Sequence, residues 1–165
     1  MRPRISLLIP SRGRPDGLRL AIESCFERAD APDQLEHLVA LDPDDPTYAA
    51  SLATAERRGG KVFRSATRFG YRRLYEYYNY LASASAGDWL INWNDDVEML
   101  TPGWDTRLCT APPFSVQFLR RDILADADTT FPVTGRMVYA AMGHLSQNAH
   151  CDDWLRVLAA AADIS

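Results

Sequence analysis

Asn94, Asp95 and Asp96 stand side by side directly behind a short apolar run, Trp89 to Trp93. Two adjacent carboxylates repel each other, and a compensating cation makes the pairing tolerable. Hard divalent ions take carboxylate oxygens, and magnesium commonly uses only one or two of these together with phosphate oxygens of a substrate. The triplet therefore reads as one side of a metal–diphosphate site, with a loop cap as the plain alternative. Near the end of the chain, His150 precedes Asp152 and Asp153 where a last helix begins. A helix cap accounts for one of these acids. The second is available as a general base for an attacking hydroxyl, and His150 is a borderline ligand that would complete the metal shell.

Two more polar clusters follow apolar runs. Pro10-Ser11-Arg12-Gly13-Arg14 leads into Pro15-Asp16, where a helix is expected to start. It is neither a phosphate-binding GxxxxGK[ST] loop nor a GxGxxG fingerprint. Arg12 and Arg14 nevertheless flank a glycine just ahead of a helix amino terminus, a place that favours anions. Asp42 opens the segment Asp42-Pro43-Asp44-Asp45 and is suited to accept hydrogen bonds from a ribose or a base; a local turn or helix cap is its plain role.

The elements that must position these groups are legible in outline. Residues 4–9 and 36–41 are apolar runs suited to strands buried on both faces of a parallel sheet. Lys61 to Arg64 reads as a short third strand, and Trp89 to Trp93 as the strand that delivers the acidic triplet. Helical spacing is expected from Pro15 through Phe26, from about Thr47 to Arg57, from Tyr71 to Ser85, and from Asp152 to Ala162. Between them, Phe114 to Leu119 reads as a weak strand and Met137 to Met142 as a helical turn. Alternating strands and helices predict an α/β layer fold with a mostly parallel sheet, as one domain over residues 1–165. In such a sheet ligands bind beyond the carboxyl ends of the strands, so the three clusters are expected to share one edge.

Composition bounds the rest. The chain has 165 residues, 47% hydrophobic and 24% charged, in the ordinary globular range. Cys25, Cys109 and Cys151 lack paired or metal-finger spacing, which fits a reducing compartment. No apolar run approaches the roughly 20 residues needed to span a bilayer, and the first residues lack a cleavage pattern. A cytoplasmic protein with no membrane insertion is the expectation. Net charge is −4, yet seven basic residues and no acid lie between Arg57 and Arg73. Most of these are expected to be solvated surface, with Arg68 and Arg72 as candidates to share the load of a phosphorylated ligand.

With these residues in place, the chain resembles the nucleotide-sugar-dependent glycosyltransferases of the GT-A fold, in particular the compact family-2-like transferases of bacteria and bacteriophages. The resemblance runs from Arg4 to about Ala160. Ile5 to Leu18 looks like the family's first strand and nucleotide loop, so Pro10, Ser11, Arg12 and Arg14 are expected at the donor. Asp42 falls where the family places an acid against the base or ribose. Gly70, Tyr78-Asn79 and Gly87-Asp88-Trp89 are similar to the helix that leads into the metal strand. Asn94-Asp95-Asp96 lies on the DxD motif, with an amide at its first position and Asp96 as the firmer ligand for manganese or magnesium. Asp152-Asp153 resembles the acidic pair that supplies the base in inverting members. Trp104 stands where relatives carry acceptor-binding aromatics, and Arg136 near the family's active-site helix.

The resemblance implies a metal-dependent enzyme that moves a sugar from a nucleotide-sugar, UDP-linked by preference, to an acceptor hydroxyl with inversion. The acceptor would be a saccharide or small molecule, or a hydroxymethylated base in phage DNA. A non-catalytic nucleotide- or sugar-binding module of the same fold is the alternative. Sugar, nucleobase and oligomeric state are not specified by the sequence.

Overall fold

A computed structural model of the chain describes residues 4–120 and 129–165. Its centre is a six-stranded sheet in the order β3-β2-β1-β4-β6-β5. The strands are β1 (Ile5–Ser11), β2 (Leu35–Leu41), β3 (Lys61–Arg64), β4 (Trp89–Asn92), β5 (Val116–Arg120) and β6 (Thr129–Gly135). β1 pairs in parallel with β2 and β4, and β2 with β3, whereas β6 runs antiparallel to both β4 and β5. The expected parallel sheet is thus its first four-strand half, and an antiparallel pair extends it to a mixed sheet.

Both faces of β1 are covered, which is why its run is mostly apolar, with the buried Ser6 hydroxyl bonded to Glu36. Ile5, Leu7 and Ile9 join the core cluster that also holds Trp89, Ile91 and Val133. Helix α1 (Pro15–Arg28) closes this face with Leu18, Ala21, Ile22, Cys25 and Phe26, all buried. Each such large side chain contributes about 1.5–3 kcal/mol relative to exposure. α2 (Tyr48–Ala55) packs beside it. On the opposite face, Leu8, Leu38, Ala40 and Leu90 meet Tyr77, Tyr78, Leu81 and Ala82 of α3 (Leu74–Ala84). The helical pattern expected from Tyr71 begins three residues later, because Tyr71–Arg73 forms a tight 3-10 turn behind Gly70, whose φ is +68°.

α4 (Trp104–Leu108) follows the acidic loop. α5 (Arg136–Met142) and α6 (Cys151–Ala162) cover the antiparallel half, where Val116, Val138, Leu155 and Ala159 form a third cluster. No helix among the described residues is long and apolar enough to cross a membrane.

Candidate functional site

The strand register fixes which loops meet. Ser11 of β1 pairs with Leu41 of β2, and Leu8 pairs with Asn92 of β4, while the Trp93 amide donates to the Leu8 carbonyl at 2.9 Å. The residues that follow each strand therefore leave the sheet at the same edge, and their side chains are tied together there. Ser11 Oγ donates to Asp95 Oδ2 at 2.7 Å. The Arg14 guanidinium reaches Asp96 Oδ2 at 2.6 Å and Asp95 Oδ1 at 3.4 Å. Arg12 lies 3.5 Å from Asp42 Oδ2 and 3.0 Å from Asp44 Oδ2. The Gly13 amide, at φ +74°, donates to Asp45 Oδ2 at 3.1 Å.

Asp42 and Asp95 are both buried, at 5% and 8% exposure. Burial pushes the Asp95 carboxyl above its ordinary range, opposed by the Ser11 hydroxyl and by Arg14. Asp45 is displaced the other way: burial raises it, but the amides of Thr47 and Gly13 stabilise the carboxylate more. It is the local cap of the turn, with Thr47 N and Oγ1 donating at 2.7 and 2.8 Å, which leaves Asp42 for another role.

Two residues that spacing alone did not mark hold this edge. The Tyr77 hydroxyl donates a short hydrogen bond to Asp42 and accepts the Phe69 amide at 2.9 Å, so one phenol joins the end of β2 to the loop carrying Arg68. Arg68 itself sits 3.9 Å from Asp42 Oδ2. Gly17, in the first turn of α1, has no room for a side chain, since a Cβ there would stand 2.5 Å from the Asp95 carbonyl oxygen. Sequence carried a faint signal for Tyr77, a large polar aromatic on the buried face of a helix, and none for Gly17.

Beside this edge opens a cavity of about 350 Å³, bordered by Tyr71, Leu74, Tyr78, Asn94, His150, Asp152, Asp153 and Arg156 among others. It brings the first residue of the acidic triplet together with the start of α6. The buried Tyr78 hydroxyl donates to Asn94 Oδ1 at 2.9 Å. Burial, then the negative field of Cys151, Asp152, Asp95 and Asp96, raises the Tyr78 phenol well above its usual range. Asp152 is half-buried, and burial followed by the charge of Asp153 lifts its carboxyl to about 6. Asp153 is instead exposed and bonded to Arg156 at 2.7 Å. His150 occupies the position before α6 and is exposed. Two residues behind Asn94, the Asn92 amide is 2% exposed, and neither of its polar atoms has a hydrogen-bond partner.

Not every expected site residue is brought here. Trp104 is 3% exposed and donates from Nε1 to the Cys25 carbonyl at 3.0 Å, so it fills the core under α1. Arg136 is placed by the antiparallel pairing of Gly135 with Trp89, at the other end of β4. There it donates to the Gly87 and Ala82 carbonyls and to Ser85 Oγ, clamping the end of α3 to the sheet. Pro10 lies within β1, half-buried beside Ala40 of β2. Arg72 is exposed in the 3-10 turn.

The basic run is mostly engaged locally. Arg57 pairs with Glu23, Lys61 with Glu36 and Arg73 with Glu76, while Arg58 and Arg64 lie over the rings of Phe26 and Tyr48. Among the described residues no group of three or more histidine, cysteine or acidic side chains is arranged to hold a metal ion alone.

No family model matches the chain, and no curated protein matches it in sequence. Solved structures do match. The mannosyltransferase PcManGT from Pyrobaculum calidifontis, in complex with GDP-Man and Mn2+, aligns with a TM-score of 0.69 and 15% identity over 92% of this chain and 51% of that one. TarS 1–349 of S. aureus gives 0.63 and 11% identity over 90% and 53%. Glucosyl-3-phosphoglycerate synthase from Mycobacterium tuberculosis, in complex with UDP, gives 0.53 and 16% over 82% and 58%. This chain spans a little over half the length of each of them. A four-strand parallel half, an antiparallel extension and these alignments together identify the backbone as the GT-A, Rossmann-like fold of the glycosyltransferases.

Proposed function

We propose that the chain is a metal-dependent glycosyltransferase that moves a sugar from a nucleoside diphosphate sugar to an acceptor hydroxyl. The observation that carries this reading is the linked edge itself. Arg12, Arg14 and Arg68 offer positive charge within hydrogen-bond or ion-pair reach of Asp42, Asp95 and Asp96, and the cavity holding Asn94 and Asp152 opens beside them. A nucleoside end at Asp42 and Arg68, a diphosphate at Arg12 and Arg14, and a sugar towards Asn94 follow the order in which these groups lie. The mannosyltransferase is in complex with GDP-Man and the synthase with UDP, and a uridine donor is the first choice to test here.

The acidic groups fit a metal only in company. Asp96 is exposed and Asp95 is enclosed by Ser11 and Arg14, so the protein supplies one accessible carboxylate rather than a cage. That donor set suits manganese or magnesium bound jointly with diphosphate oxygens on Asp96. When bound, such an ion neutralises charge on the departing nucleoside diphosphate. Arg12 and Arg14 share that task through preorganised N–H donors. The Asn94 amide nitrogen is available to a hydroxyl, since its oxygen is taken by Tyr78. Asp152 is the group for proton transfer, because Asp153 is committed to Arg156. A carboxyl held near 6 is mostly ionised at neutral pH and still accepts a proton more readily than an ordinary aspartate. Attack from the Asp152 side, opposite the leaving group, inverts the anomeric centre.

The test is release of nucleoside diphosphate from a panel of nucleotide-sugars with manganese, alongside calorimetric binding of UDP and GDP. Asp96→Ala is expected to abolish metal-dependent nucleotide binding with the fold intact, and Asp152→Asn to abolish transfer with binding retained. Absence of binding and of turnover across the panel ends the reading. The second reading, a nucleotide- or sugar-binding module without catalysis, is favoured by the amide at position 94. Tight nucleotide binding with neither transfer nor hydrolysis would establish it.

A further inference from the structure

A helix turns by about 100° per residue, so three consecutive side chains of α3 leave it in three directions. Tyr77, Tyr78 and Asn79 use this fan to reach three separate loops. Tyr77 bonds Asp42 at the end of β2, and Tyr78 bonds Asn94 behind β4. Asn79 reaches a third segment, the one that connects α5 to α6. Its Oδ1 accepts the amides of Leu145 at 2.7 Å and Ser146 at 3.2 Å, and its Nδ2 donates to the Ser146 carbonyl at 2.8 Å. Leu145 and Ser146 are both 0% exposed, in irregular chain outside any helix or ladder. Buried amides there must find partners among side chains, and Asn79 supplies them.

The bonds continue towards α6. Ser146 Oγ donates to the Asn148 carbonyl at 3.0 Å, and Asn148 Oδ1 accepts the His150 amide at 2.9 Å. His150 is the residue before α6, and its carbonyl accepts the Trp154 amide at 2.9 Å in the first helical turn. Cys151 seals the same junction, packing in the cluster that holds Leu145 together with Tyr78 and Leu81 of α3. Asp152 comes next. Its place is thus referred to α3 through Asn79, as that of Asn94 is through Tyr78. Two adjacent residues of one helix hold both banks of the cavity between Asn94 and Asp152. A misplacement of about 1 Å costs up to about a hundredfold in rate, so such an anchor has a chemical consequence.

We propose that Asn79 is a positioning residue for Asp152: it pins residues 145–146, and through them the start of α6, opposite the Asn94 that Tyr78 holds. The kinetic consequence rests on the glycosyltransferase reading; the mechanical one does not. Hydrogen–deuterium exchange of the ligand-free protein tests the mechanical part. Asn79→Ala is expected to speed exchange at the amides of Leu145, Ser146, His150 and Trp154 about tenfold, with the amides of β4 and α1 at wild-type rates. Should that variant not fold, Asn79→Asp carries the test, because it keeps both accepted bonds and loses only the donated one. It is expected to speed the same amides by a smaller factor. Acceleration spread evenly over the protein, or none at these four amides, overturns the proposal.

The kinetic part uses a nucleotide-sugar that the wild-type protein turns over. Asn79→Ala is expected to lower kcat about ten- to a hundredfold with UDP affinity unchanged, and Asn79→Asp to recover most of the rate. Asp105→Asn, which removes a buried contact remote from the cavity, is the control expected to keep its kcat. An equal fall in that control, or loss of UDP binding in Asn79→Ala, reduces Asn79 to a contact of the fold and overturns its positioning role. Absence of wild-type turnover with every nucleotide-sugar counts against the enzyme reading alone, and the exchange rates still decide whether Asn79 governs the start of α6.

Discussion

Arg14 Nη1 lies 2.6 Å from Asp96 Oδ2, so a side chain of the protein already occupies the acid that would hold a metal. Both partners are more than half exposed. The pair therefore contributes only about 0.2–1 kcal/mol, the scale of a solvated ion pair. Metal and guanidinium compete for one carboxylate until a diphosphate arrives to take the guanidinium away. Arg14→Met is expected to tighten manganese binding to the nucleotide-free protein by up to about fivefold, and to weaken UDP binding in the same protein. Electron paramagnetic resonance of manganese measures the first and calorimetry the second. Unchanged manganese affinity would show that Arg14 and the ion do not share Asp96.

Tyr77 is a second control point, because its hydroxyl bonds both Asp42 and the amide of Phe69. Tyr77→Phe keeps the ring in the α3 core and removes only this link. A hydrogen bond to a charged group is worth about 1.5–3 kcal/mol. The variant is expected to lose about tenfold in UDP affinity, with a smaller fall in Tm as the rest of that energy is taken from the fold. Equal affinities in a titration of UDP would remove Tyr77 from the nucleotide edge.

Asp105 provides a stability test remote from the site. Its carboxylate, 4% exposed, accepts the amides of Asp30 and Ala31, each at 2.9 Å. Burial raises its pKa, and these backbone donors more than reverse that, leaving it below the ordinary value. A depressed carboxyl contributes stability above its unfolded pKa of about 3.9, and that contribution disappears as pH falls through the folded value. Asp105→Asn is expected to cost about 1–3 kcal/mol at pH 7 and progressively less in acid. Urea midpoints for both proteins between neutral pH and the acid limb give the comparison, and a difference independent of pH would count against the carboxylate.

The parallel half of the sheet was legible because burial on both faces leaves an unambiguous mark: Ile5, Leu7, Leu8 and Ile9 in β1 and Leu38 to Leu41 in β2 have no polar face to present. The shared edge followed from topology, since parallel strands open their carboxyl ends together. β6 was not legible. Its sequence, Thr-Thr-Phe-Pro-Val-Thr-Gly, carries a proline that argues against an interior strand. The β4 ladder stops at Val133, so Pro132 lies just beyond that pairing and its missing donor does not interrupt it. Arg136, which the family resemblance set near the active-site helix, is instead carried to the opposite end of β4 by the antiparallel β6. Trp104 carries the same residue type whether it meets a ligand or fills a core, and only packing under α1 separates the two. Tyr77 and Gly17 act through contacts more than thirty residues distant, which no local pattern records.

The missing side chain at Gly17 has a further consequence. With helix α1 seated directly on the peptide oxygen of Asp95, any side chain at position 17 would have to push the acidic loop away from the helix. Changes in ligand preference are more readily accommodated along residues 65–73, where Arg68, Tyr71 and Arg72 are exposed. Directed evolution that randomises that segment while freezing position 17 should retain folded proteins, whereas libraries opened at 17 should mostly be lost.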